Sequence, residues 1–589
     1  MPIEKLPIFC YYNLQRFTQM GAMDCANWYG VQVQDTKNGQ ALYPAMGRKH
    51  INYFGSNKLV FDAEPSQLFR SINYVYVIVG TRVIQVDEHY QERIIGSVPL
   101  GKQTWFAFLA VGAVTYCILT AETVMYLITE NADGTVSYQT ITDPFKPSQP
   151  LFVASFGNRF VVSQANTPNF YVSSIDSANL GNPNTIFNVN GAPLVFSASG
   201  VVRQLGVLQT QLYVFCDFTT DIYANIQNTV AVGNTTAQFP FKRNTSYGWD
   251  YGIADPFSLN IDFGRIALLA KNANGLVSFM VSDGQQPTDI SSQAINVLLE
   301  NSRDEDTVSP FLAGQTDGFL YQYENTIFYR VTAGPYLAFG ELDRNDSANA
   351  IEYNFSTQTW ARLIELNGER NRIQKHVFFN DTHLVSVSGD DALYRMAGNL
   401  YYNELRTPGA LPQAANAFSK YPMRYKLVTQ QIFQPDYSEF LTDYVEIDFV
   451  FGDKTFYKNN TAFLNTQFII TEDAAHDGTP VYQITEDSLS GEPVFIIDQE
   501  GNTPSFDDNF YNSLFKPHIE LYISDDGGIT FESADLREFS QLGQYRWRMR
   551  WYELGPSRNR CYKLICISSA PIVILGGVQS IRRASGGAN

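Results

Sequence analysis

Four short stretches of this 589-residue chain hold residue types whose spacing could do chemistry. Ser524-Asp525-Asp526-Gly527-Gly528-Ile529-Thr530-Phe531 fits the pattern S-x-D-x-G-x-T-[FW], an Asp box. Gly96-Ser97-Val98-Pro99-Leu100-Gly101-Lys102-Gln103 approaches a phosphate-binding loop. His376 and His383 stand seven apart, and Arg546-Trp547-Arg548-Met549-Arg550-Trp551 alternates guanidiniums with large apolar groups.

Each stretch also has a structural reading. In an Asp box the second Asp accepts hydrogen bonds from backbone amides across a turn, and the glycines supply positive φ. Asp526, Gly528 and Thr530 are therefore expected to pin a hairpin. The box is common in sialidase propellers, where it holds no catalytic group. The loop at 96–103 ends in Gln103 where a Ser or Thr hydroxyl must meet Mg²⁺. The residues after it, TWFAFLAV, read as a strand, whereas a phosphate cradle needs a helix N-terminus. The two histidines lack an HExxH arrangement. Cysteines 10, 25, 117, 216, 561 and 566 form no CxxC pair, and they read as free thiols of a reducing cytoplasm. No catalytic residue, cofactor site or metal site is assigned. A propeller glycosidase would need two carboxylates roughly 5–10 Å apart near its channel, and no such pair stands out in the sequence.

In a strand, the alternation at 546–551 puts Arg546, Arg548 and Arg550 on one face and Trp547, Met549 and Trp551 on the other. That face could be a solvated side of a sandwich, a contact with a partner subunit, or a DNA reader. Charge weighs against DNA, because the chain carries −18 and phosphate binding needs Lys and Arg to displace counterions. The charge is uneven, however. Residues 537–583 carry +7, and residues 459–515 hold ten Asp/Glu with no Lys or Arg. A basic patch of one subunit facing the acidic surface of the next would make the three arginines interface residues in a head-to-tail ring. Pairing inside their own sandwich is the alternative.

The elements that position these residues are strands. Aromatic residues make up 14% of the chain, and 41 glycines with 26 prolines punctuate it, so long helices are not expected. Seven stretches share a rhythm of strand, turn and strand, at 75–87, 115–128, 159–175, 211–226, 265–281, 327–355 and 383–398. Their spacing of roughly 40–60 residues is that of β-propeller blades, and such a ring closes when a strand from outside the run completes its last blade. The uncharged run Thr104–Ala121 approaches membrane-spanning length but divides about Gly112, so it reads as two buried strands and no stable membrane insertion is expected. The N-terminus lacks a basic flank followed by an apolar run, so no signal peptide is expected.

The fold expected is all-β: a propeller of about seven blades, then a C-terminal β-sandwich-like domain with an acidic repeat insertion. Residues 1–58 are expected as an extended docking segment, 59–400 as the propeller, and 401–452 as linker and first sandwich strands. TPGALPQAANAFSK at 407–420 is read as the linker. Residues 453–516 form the insertion, with Ile470-Thr-Glu-Asp473 recurring at Ile484-Thr-Glu-Asp487 and loosely at Ile497–Glu500. The remainder, 517–589, completes the sandwich.

Both ends resemble one family, the packaged-DNA stabilisation or tail hub (nozzle) proteins of short-tailed bacteriophages. Asp24-Cys25-Ala26-Asn27-Trp28-Tyr29 and Ala41-Leu42-Tyr43-Pro44-Ala45-Met46-Gly47 are similar to its "CVNLY…LLPTPG" opening, with Met46 where the family usually has Pro. SDDGGITF, Leu542–Arg548 and Leu554–Arg560 are similar to its "SDDGG.TW…LG..G.Y..R.RW..LG..R.R" close. The resemblance implies a hexameric ring in the virion tail, assembled in the host cytoplasm beneath a portal-adaptor ring. It also implies contacts with a tail spike or fibre and a plug or needle, genome retention and ejection, and double-stranded DNA passing through the lumen without specific binding. A propeller glycosidase or depolymerase, or a carbohydrate-binding adhesin, is the competing reading. A ring without turnover separates the first reading from the enzyme, which needs its carboxylate pair at the channel mouth.

Overall fold

The computed structural model describes residues 3–12, 24–33, 40–51, 59–232, 235–245, 247–301, 316–333, 350–407, 417–434, 436–452, 468–472, 480–484, 517–538 and 546–583. Six antiparallel sheets follow one another along 65–97, 104–140, 150–197, 202–243, 251–289 and 316–362. The seventh takes three strands from 373–397, and its fourth is Gly47–His50, which pairs with Leu393–Ala397. These are the seven blades of a closed β-propeller.

Closure is visible in the packing. Seven hydrophobic clusters each join two adjacent blades, and one of them unites Leu68, Val75 and Val77 of blade one with Val377, Leu384 and Leu393 of blade seven. The second and third strands of a blade are covered on both faces, so they are mostly apolar, with the buried Arg330 and Glu352 of blade six and Asp221 of blade four among the exceptions. Val75–Val79 is buried along its whole length. Outer strands face water on one side and lose that signature, as Glu92–Ser97 does. Each of the seven rhythmic stretches falls on a second-and-third-strand pair. The uncharged run Thr104–Ala121 is the hairpin of Thr104–Val111 and Val114–Ala121, turning at Gly112 with φ +63°.

The sandwich packs two sheets around a single core. One sheet runs Trp28–Gln32, Gln40–Pro44, Ile572–Arg583, Phe440–Phe451, Arg546–Ser557, with Ile3–Lys5 also on Ile572–Arg583. The other runs Asp24–Ala26, Phe418–Val428, Cys561–Ser568, His518–Ser524, Glu532–Glu538. The opening segment is thus not a separate docking arm. It supplies five strands, four to the sandwich and one to blade seven, because both bodies would otherwise leave open edges.

The two bodies share hydrogen-bonded ladders. Asp24–Ala26 lies parallel to Thr359–Arg362, the outer strand of blade six. Tyr402–Arg406 meets Gly47–His50 at Asn403 and Arg48, and pairs with Phe418–Val428. The stretch read as an interdomain linker therefore joins two strands of one hairpin, and its residues 408–416 lie outside the described residues. The strands bounding the acidic insertion, Phe440–Phe451 and His518–Ser524, sit in opposite sheets and do not pair with each other. Within the insertion, Phe468–Glu472 pairs with Pro480–Ile484; the rest lies outside the described residues.

Candidate functional site

The innermost strands of all seven blades line one central cavity of ≈ 470 Å³. Its polar lining includes Gln67, Ser155, Gln204, Asn260, Asp317 and Lys375. Lys375 pairs with Asp317 and lies 4.4 Å from the centroid of Phe257, which stacks on Trp105 at 4.6 Å. Burial pushes the Asp317 carboxyl above its ordinary pKa, and the Lys375 ammonium opposes the shift. Asp317 is the one Asp or Glu among the described lining residues, whereas glycoside hydrolysis takes a pair. The volume matches a small-molecule pocket of about 300–1,000 Å³. It does not admit a duplex whose major groove alone is about 12 Å wide.

His376 and His383 meet in the seam between blades six and seven, with Nε2 and Nδ1 2.9 Å apart. Burial, then His383 and the nearby Arg330 and Arg70, push the His376 pKa well below its ordinary value. The ring stacks on Phe319 at 4.6 Å, as a neutral core residue does. The stretch 96–103 links blades one and two, Lys102 donates to Glu122 at 2.8 Å, and the strand Thr104–Val111 follows.

The Asp box is the turn between His518–Ser524 and Glu532–Glu538. Asp526 accepts from the amides of Ile529 at 2.9 Å and Thr530 at 3.0 Å, and from the Thr530 hydroxyl at 2.6 Å. Gly528 donates its amide to Ser524 Oγ at 2.7 Å, with φ +95°. Partial burial alone would raise the Asp526 pKa, but these bonds and the Ser524 hydroxyl outweigh it and hold the carboxyl at about 2. The neighbouring Asp525 accepts from the buried Arg560 at 2.9 Å. The box fastens a turn to the sandwich.

The residues of the opening motif gather where propeller meets sandwich. Asn27, at φ +58°, donates to the carbonyls of Ile364 and Arg424, both at 2.7 Å, and accepts from Ile364 N at 3.1 Å. Asn tolerates this left-handed backbone better than most residues. Asp24 pairs with Arg362 and Lys426; burial would raise its pKa, and the two cations instead hold it at about 2. Trp28 donates to the carbonyl of Ile572 at 2.9 Å and stacks on Tyr425 at 5.1 Å. Next to the motif, the fully buried Arg48 makes a forked contact with Glu365, at 2.7 and 3.1 Å. Sequence reading passed over Arg48 and Glu365, which lie 317 residues apart. Cys10 and Cys25 also meet here as a disulfide, with Cα atoms 5.3 Å apart. That corrects the expectation of six free thiols; Cys117, Cys216, Cys561 and Cys566 are free and buried.

Arg546, Arg548 and Arg550 share one face of Arg546–Ser557, as the alternation requires. Their partners are Glu446 and Asp448 of the neighbouring strand. Arg550 Nε donates to Glu446 at 2.9 Å, Arg548 Nε to Asp448 at 3.0 Å, and Arg546 to Asp448 at 3.3 Å. The carboxylate side chains are 6% and 1% exposed, while the arginines are 41–61% exposed. The arginines therefore cover buried carboxylates of their own sheet, which is the intramolecular alternative. Glu446 and Asp448 are the residues sequence reading missed; their i, i+2 spacing on YVEIDFVF was the available signal.

The family model described as Phage_stabilise, "Bacteriophage P22 Gp10, beta-propeller", matches residues 67–315, a stretch spanning the first five blades. It is the family that the two ends of the chain resemble. No curated protein matches the sequence. Among solved structures, a streptogramin B lyase matches at 8% identity and TM-score 0.31, over 60% of this chain and 98% of that one. The Neurospora crassa Pan2 WD40 domain matches at 10% and 0.29, over 60% and 91%. The N-terminal domain of Nup159 matches at 10% and 0.30, over 60% and 95%. Likenesses this slight carry no argument about what the chain does.

Proposed function

We propose that this protein is a structural component of a short-tailed phage particle. It is a tail hub that continues the DNA conduit below the portal-adaptor ring and holds the packaged genome until ejection. The observation that carries this reading is the family match over 67–315, in a chain whose two ends resemble the same family. The propeller cavity is too small for a duplex, so the conduit is built between copies of the chain, as a hexameric ring would build it. An acidic wall suits that use, since a surface of net charge −18 repels phosphate and lets DNA slide without sticking. The chain acts without turnover, and its partners are the portal-adaptor ring, a spike or fibre and a plug or needle.

The test is a phage particle assembled without this protein. Heads should fill with DNA and then lose it, read as genome that becomes accessible to nuclease. Filled, nuclease-resistant and infectious particles would overturn the proposal.

A further inference from the structure

The central cavity of the propeller holds more hydrogen-bonding capacity than the fold uses. Gln204 is satisfied from within the fold. Its amide nitrogen donates to the carbonyl of Pro256 at 3.2 Å, and its oxygen accepts from the amide of Leu205 at 2.9 Å. Gln67, Ser155, Asn260 and Gln374 line the same space, and among the described residues their side chains have no hydrogen-bond partner. They stand on the innermost strands of blades one, three, five and seven, so they meet the cavity from around the ring. All four are half-buried, so water-sized groups reach them. Three amides and a hydroxyl offer donors and acceptors together.

The charges of the lining narrow what can occupy it. Asp317 and Lys375 are paired with each other, so an anion there meets the carboxylate and a cation meets the ammonium. Arg70 lies three residues beyond Gln67, roughly 10 Å along the strand, where it donates to the carbonyl of Phe378 at 2.7 Å. The aromatic rings are engaged with one another. Phe257 carries both Trp105 and the Lys375 ammonium, Phe69 stacks on Phe106 at 5.4 Å, and Phe319 stacks on His376. A flat heteroaromatic ligand such as a nucleobase therefore finds few free ring faces to stack on. A neutral molecule rich in hydroxyls can both donate to the free amides and accept from them, and the cavity's size suits a small ligand.

We infer that the central cavity binds a neutral polyhydroxylated ligand, a mono- or disaccharide, held by Gln67, Ser155, Asn260 and Gln374. Binding proceeds without turnover, since Asp317 has no second carboxylate beside it among the described lining residues. The site goes beyond the tail-hub reading and stands or falls independently of it.

The experiment uses the full chain in isothermal titration calorimetry and saturation-transfer NMR. The probes are glucose, galactose, maltose and lactose, with glycine and inorganic phosphate as zwitterionic and anionic controls. At least one sugar should bind saturably, and neither control should. Gln67→Met with Asn260→Leu keeps side-chain size and removes both amides. It should weaken sugar binding roughly tenfold or more while melting at the wild-type temperature, because neither amide bonds to the described protein. Ser155→Ala, a milder change, should weaken binding by about a few fold. Absence of saturable binding by every sugar at millimolar concentrations would overturn the inference, as would tighter binding of phosphate or glycine. Sugar binding that both variants leave unchanged would place the sugar elsewhere and overturn the site.

Discussion

The blades and the sandwich are built from the same kind of strand, but they draw on the chain in opposite ways. In a blade, partners are consecutive, as Val75–Val79 and Arg82–Val86 are. In the sandwich, Ile3–Lys5 pairs with Ile572–Arg583, and Phe440–Phe451 lies between Ile572–Arg583 and Arg546–Ser557. Local pairing requires little loop-closure entropy and can form early, whereas distant pairing waits for the chain ends to meet. The comparison teaches that the propeller is a local structure with a non-local fastening. Its last blade closes only through Gly47–His50, and that strand is held from the sandwich side.

The sharpest way to break this arrangement is at the fastening. Arg48→Ala leaves Glu365 buried without its cation and should cost about 3–5 kcal/mol. We expect the wild type to unfold in one calorimetric transition and the variant in two, with blade seven and the sandwich of the variant losing protection from hydrogen exchange before blades two to four. A uniform loss across all blades would show that the fastening does not divide the molecule in this way.

The disulfide offers a smaller perturbation of the same joint. Cys10 and Cys25 are 15 residues apart, and cross-linking a loop of that size is worth about 3 kcal/mol in the chain-entropy model. Cys10→Ser with Cys25→Ser, or reduction, should lower the melting of the sandwich and leave the inter-blade seams of 104–243 unchanged. Peptide mapping of unreduced protein checks the bond itself.

On the far side of the sandwich, Arg546, Arg548 and Arg550 replaced together by Gln should lower monomer melting by a few degrees, because Glu446 and Asp448 remain buried without their cations. Half-exposed guanidiniums are partly screened by solvent, so the effect is smaller than at Arg48. Unchanged melting with weakened, salt-sensitive assembly would instead make the three arginines subunit contacts.

The smallest expected effect is a pH slope in the seam of blades six and seven. Unfolded His376 takes up a proton near about 6.5, while the folded ring, its pKa pushed well below that by burial, does not. Stability therefore rises with pH through that region and is lost as pH falls below about 6.5. His376→Asn should flatten the fall in melting temperature between neutral pH and pH 5, measured at constant ionic strength. An identical slope in the variant would mean that other groups set it.

The sequence by itself determined the all-β class, a blade number of about seven and the place of each blade's two central strands, because strands buried on both faces are mostly apolar; the tertiary structure fixed the count at seven. The Asp-box turn was legible for a similar reason: Asp526, Gly528 and Thr530 act within one turn, so their spacing is their geometry. The tertiary structure alone decided which strands the opening segment completes, that Cys10 meets Cys25, that Arg48 meets Glu365, and that the three arginines cover Glu446 and Asp448. Each of these depends on two stretches that only the fold brings within a few ångströms, and a hydrogen bond between distant residues leaves no periodicity in either stretch.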